Sequence, residues 1–179
     1  MNRRHTVNLT FSALFLSLAY LLPFLTGQIQ QIGNMLCPMH IPVLLCGFVC
    51  GWPWGLAVGF VAPLLRSLVL GMPMLFPSAV CMAVELAVYG TICGVLSHRL
   101  PQKIGFTYLS LVIAMIVGRV VWGGTMWLCL GVSGGAFTFS AFFSGAITNA
   151  LPGIALQLLL VPPIVTAIQR LVGKRRGLA

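Results

Sequence analysis

The sequence predicts an all-α integral membrane protein of six transmembrane helices, with a short second helix and both termini cytoplasmic. Three observations carry this expectation: extreme apolarity, apolar runs of bilayer length, and basic residues confined to alternate connections. Hydrophobic residues make up 59% of the 179 residues and charged residues 6%, with a mean hydropathy of +1.05. A water-soluble domain of that composition would expose large apolar patches. A helical crossing needs about 20 apolar residues, so about six crossings use up the chain. Residues 1–179 are therefore read as a single integral membrane domain, and any chemistry that needs ATP hydrolysis falls to a partner.

The apolar runs cover 7–26, 39–50, 54–71, 77–97, 106–130 and 140–169, bounded by Gly, Pro and charge. The first follows Arg3-Arg4 and imitates a secretory signal. Its apolar stretch is longer than a usual signal core, however, and no small-x-small cleavage site follows, so a retained helix is expected. The second run is short, which suits a half-buried or tilted segment, and Gly51-Trp52-Pro53-Trp54 is the tight connection after it. Trp52, Trp54, Trp122, Trp127, Tyr20 and Tyr89 are candidate interfacial anchors, foremost Trp52 and Trp54.

The formal net charge of +9 would point to nucleic acid in a soluble protein. Here the basic residues outside the apolar runs gather at Arg3 and Arg4, at Arg99 and Lys103, and at Arg170, Lys174, Arg175 and Arg176. The 27–38, 72–76 and 131–139 connections carry no charge. That alternation is a topology signal: the basic sites face the cytoplasm and the uncharged connections face outside. The 6 cysteines form no CxxC pair and lie mostly in apolar context, so they read as small buried hydrophobes rather than as a disulfide or metal framework.

Glu85 is the sole acidic residue in the chain, and it lies within the fourth apolar run. An ionised carboxylate in hydrocarbon needs a partner or a hydrated cavity, which makes it a functional-site candidate. Arg66 and Arg119 are the charges in other apolar runs. At 1.5 Å per residue, Glu85 and Asn149 fall roughly 12 Å, Arg119 roughly 16 Å and Arg66 roughly 8 Å below the outer ends of their segments. These groups are expected to converge on a pocket that opens outward. Two arginines and one acid suit a substrate with a carboxylate or phosphate. Arg119 is assigned to that anion, Glu85 to orienting or neutralising the pocket, and Arg66, Asn149 and Trp122 to secondary contacts. His40, Gln31 and Asn34, from the outer side of the second segment and the connection before it, complete the candidate substrate-binding set. The bland alternative is one salt bridge that clamps helices while the other arginine snorkels to the surface.

Small residues recur every four positions at Gly47, Gly51, Gly55 and Gly59, a spacing that lets helix backbones approach closely. Ala13 and Ser17 repeat it in the first segment, as intramolecular packing or as a docking face for another protein's helix. Gly131-Val132-Ser133-Gly134 matches the GxSG pattern of intramembrane serine proteases, for which His5, His40 and His98 are the available bases.

The block Pro38-Met39-His40-Ile41-Pro42-Val43-Leu44-Leu45-Cys46-Gly47, followed by Gly51-Trp52-Pro53-Trp54-Gly55, resembles the membrane-embedded substrate-binding S components of energy-coupling factor (ECF) vitamin transporters. Size, six segments, basic termini and a long outer loop after the first helix extend the resemblance over nearly the whole chain. It implies a bacterial cell-membrane protein, not an enzyme, that binds a water-soluble vitamin or related molecule from outside. Pantothenate is one candidate among acidic substrates. The resemblance also implies a transmembrane coupling subunit and two ATPase subunits as partners, with no cofactor in this chain and ATP used by the ATPases. The Ala-xxx-Ala docking motif of the family's first helix stands here as Ala13 and Ser17, with serine at its second position. A self-sufficient proton-coupled transporter or channel built around Glu85 is the competing reading, and the intramembrane serine hydrolase the third.

Overall fold

The computed structural model describes residues 3–26, 38–101, 103–132 and 151–176. Among them are six α-helices and no strand: α1 (Arg3–Leu21, extended by a 3-10 turn Leu22–Thr26), α2 (His40–Cys50), α3 (Trp52–Leu70), α4 (Val80–Arg99, entered through a π turn Leu75–Ala79), α5 (Ile104–Val132) and α6 (Leu151–Arg176). Five helical stretches are long and apolar enough to cross a membrane, and α2 is the short apolar one. The chain is thus an all-α multi-pass membrane protein.

At 1.5 Å per residue α2 is only about 16 Å long. Apolar apart from His40 at its first position, it can be buried on every side, and all its residues except Val49 are buried. It packs against α1, α3, α4 and α6 as the axis of the bundle. Val43, Leu44 and Cys46 on α2 are fully buried in a core completed by Phe15, Leu86, Cys93, Leu111, Ala114, Val161 and Val165 from the surrounding helices.

One residue, Gly51, joins α2 to α3. Its φ of 93° lies where a side chain is strained, and its N–H donates to the Gly47 carbonyl at 3.1 Å to close α2. The reversal brings Gly47 and Gly55 against Gly90 of α4. A methyl group on Gly47 or Gly55 would stand 2.5 Å or 2.7 Å from the Gly90 carbonyl oxygen. Gly59 meets the Leu86 backbone, and Gly94 the Trp52 backbone, in the same close manner. The four-residue glycine spacing is therefore intramolecular packing, and Gly90 and Gly94 supply its other half.

These contacts also set the registers. Asn8 Nδ2 donates to the Cys50 carbonyl at 3.3 Å, Ser12 meets Cys46, and Ala19 clusters with Met39 and Ala62, so α1 and α2 run antiparallel. At one end of the bundle α1 begins, α2 meets α3 through Gly51, and α4 passes to α5 through Arg99 and Lys103; this is the basic end. At the other, α2 stops short: α3 runs eight residues, about 12 Å, beyond Ala62 to Leu70. The amino end of α2 thus lies inside the bundle rather than at its surface.

Candidate functional site

His40, the first residue of α2, lies at that interior level. Met39 precedes it without a side-chain cap, and the N-terminal turn is buried, with Met39 4%, His40 1% and Ile41 7% exposed. Beside it, α4 presents Glu85 and, one turn on, Tyr89, each 1% exposed. The Tyr89 hydroxyl donates to Glu85 Oε1 at 3.0 Å. Arg119 of α5 brings Nη1 to the same oxygen at 3.3 Å, while His40 Nε2 stands 4.0 Å from Oε2. The His40 and Tyr89 rings are 5.5 Å apart between centroids and inclined at 59°.

Local sequence explains how three helices deliver these groups. Glu85 and Tyr89 are four residues apart and so share a face of α4. Gly118, immediately before Arg119, lies where a methyl group would strike the Tyr89 ring, so its missing side chain lets α5 close on that face. The glycine contacts among α2, α3 and α4 hold His40 beside the pair. A lone carboxylate here would cost several kcal/mol to desolvate, and the Tyr89 hydroxyl and Arg119 guanidinium offset that cost. The Arg119 side chain keeps 15% of its surface exposed, so it forms the accessible edge of the cluster.

Arg66 lies elsewhere. On α3 it is 7% exposed, its Nε donates to the Met72 carbonyl at 3.1 Å, and its guanidinium lies 5.9 Å from the centroid of the Phe24 ring. The acid's ion-pair partner among the described residues is thus Arg119 and not Arg66. Because Leu86 packs on Gly59, Arg66 is displaced from the Glu85 level by roughly six residues of α3, about 9 Å toward the end where α2 stops short.

The other sequence candidates divide in three. Trp122 is half-buried on α5, three residues from Arg119. Gln31, Asn34 and Asn149, together with Ser133 of the GxSG pattern, lie outside the described residues. Ala13 and Ser17 are both exposed on α1, and the Ser17 hydroxyl donates to the Ala13 carbonyl at 2.9 Å, which leaves the face they share smooth and apolar. Tyr89 is a correction to the expectation of an interfacial anchor, since it is buried and bonded to Glu85. Its four-residue spacing from the sole acid was the signal available in the sequence.

The Glu85 cluster is an ion pair with Arg119, with the Tyr89 hydroxyl bonded to the acid and the His40 ring beside it, in the interior of an apolar bundle. Such an arrangement places ionic and hydrogen-bonding groups in an otherwise apolar interior. Comparison with curated proteins and with solved structures returned no match. A family model described as "ECF transporter, substrate-specific component" matches residues 7–165, which takes in α2–α5 entire and most of α1 and α6. The chain belongs to the substrate-specific components of ECF transporters.

Proposed function

We propose that this chain is the subunit that captures a water-soluble vitamin or related small molecule from outside the bacterial cell membrane. In this reading an ECF transmembrane coupling subunit and two ATPase subunits carry out the import, with ATP used only by those partners. The observation that carries the binding role is the convergence of Glu85, Tyr89, Arg119 and His40 from three helices at the level where α2 stops inside the bundle. The basic end, with exposed Arg99 and Lys103, is the cytoplasmic end by the charge rule, which turns the shortened side of α2 outward. Substrate then reaches the cluster from outside, past Arg66.

On this reading Ala13 and Ser17 form the face that meets the coupling subunit, where small side chains permit close helix approach. Native mass spectrometry of the purified full chain tests the binding role. The expected result is a bound species of small-molecule mass that is released on unfolding. A preparation from expressing cells that carries none and gains none from a vitamin mixture including pantothenate would count against it.

A further inference from the structure

Glu85 is the sole acid in the sequence, and the structure commits it to Arg119. No side-chain carboxylate anywhere in this chain is therefore left to neutralise Arg66, although Arg66 is 93% buried by its 7% exposure. Only part of its donor set is used. Nε is bonded to the Met72 carbonyl and the guanidinium carbon lies 5.9 Å from the Phe24 ring centroid, whereas Nη1 is buried without a hydrogen-bond partner among the described residues. One bond and one ring contact fix the guanidinium plane in advance and leave part of its planar fork unused. That edge matches two oxygens of a carboxylate or phosphate. Capping the turn after α3 accounts for Nε alone, and snorkelling to lipid headgroups would leave Nη1 exposed rather than buried.

We propose that Arg66, and not Arg119, is the anion anchor of the substrate site. The substrate is then a two-ended, water-soluble molecule, with a carboxylate or phosphate on Arg66. About 9 Å inward, a polar end accepts and donates hydrogen bonds at the Glu85, Tyr89, Arg119 and His40 cluster. Arg119 belongs to the second end, because its charge is already matched by Glu85. This inference rests on the substrate-binding reading above and names the class of molecule that the site accepts.

The test uses the detergent-purified full chain, wild type and with Arg66→Gln, Arg66→Lys or Arg119→Gln. Each is exposed to the small-molecule extract of the expressing cells, and the retained compounds and phospholipids are identified by mass spectrometry after washing. Wild type is expected to enrich one or a few water-soluble anions. Loss of a charge-assisted bidentate contact should lower that enrichment about tenfold to a hundredfold in Arg66→Gln. Arg66→Lys should recover part of it and, with its charge retained, serves if Arg66→Gln fails to fold. Arg119→Gln should weaken retention without removing the preference for anions. Enrichment of neutral or cationic compounds, undiminished enrichment of anions in Arg66→Gln and Arg66→Lys, or an anionic phospholipid as the sole Arg66-dependent species would overturn the assignment while leaving binding itself intact. No enrichment on folded wild type would overturn the substrate-binding reading and this assignment with it.

Discussion

Replacing Gly90 with alanine should destabilise the bundle, whereas the same change at Gly124 should not. Gly90 faces two helices at once: its carbonyl oxygen is the atom that methyl groups on Gly47 and Gly55 would meet, and a methyl on Gly90 itself would strike the Gly55 backbone. Backbone atoms on paired helices cannot rotate away, so the overpacking cost sits toward the upper part of the usual range, about 3 kcal/mol. Alanine recovers about 1 kcal/mol in helix propensity over glycine, leaving a net loss of about 2 kcal/mol. A methyl on Gly124 meets nothing within 4 Å among the described residues, so only the gain of about 1 kcal/mol remains there. For a chain of this length the two variants should move the unfolding midpoint by about 4–8 °C downward and about 2–4 °C upward respectively. Thermal unfolding in one mild detergent, followed by circular dichroism and by size-exclusion recovery, measures both. Equal midpoints for the two variants would refute the argument that α2, α3 and α4 are held by direct backbone contact at Gly90, and with it the account of how His40 is kept beside Glu85.

The Glu85–Arg119 pair should behave as a unit. Arg119→Gln leaves a buried carboxylate with only part of its support and should cost about 3–5 kcal/mol of stability, while Glu85→Gln with Arg119→Gln should cost less than the two singles together in a double-mutant cycle of thermal unfolding. Strict additivity would mean that the pair does not interact. On the exposed face of α1, replacing both Ala13 and Ser17 with Trp should abolish co-purification with the coupling subunit while the isolated chain still retains its small molecule. An intact complex would move the docking face elsewhere.

Much of this fold was legible because membrane physics leaves few options. Apolar runs bounded by charge located the first five helices to within a few residues, and the brevity of the second run correctly set α2 apart. The last helix departs from its expected 140–169 segment at both described ends, Leu151 and Arg176. Rarity of charge made Glu85 and Arg119 visible as partners. Which arginine pairs with the acid was not legible, because it depends on interhelical register. That register is set by contacts such as Gly59 with Leu86 and Gly118 with Tyr89, which no local pattern reveals. Tyr89 escaped for a related reason: tyrosine in a membrane protein suggests the interface until a hydrogen-bond partner one turn away is seen. The glycine repeat at 47, 51, 55 and 59 is legible as packing, but its complement at Gly90 and Gly94 follows only from the antiparallel pairing of α3 and α4.

The central claim is that the polar cluster beneath the amino end of α2 binds the substrate of this ECF component. The most direct test compares small-molecule occupancy by native mass spectrometry in wild type, in Glu85→Gln and His40→Ala, and in Leu68→Ala, whose parent side chain is 73% exposed on α3. The account predicts full occupancy in wild type and Leu68→Ala, with a drop of about tenfold or more in both cluster variants, as expected when a buried hydrogen-bonding partner is removed. Occupancy in Glu85→Gln and His40→Ala equal to that of Leu68→Ala would contradict it and leave the cluster a structural clamp.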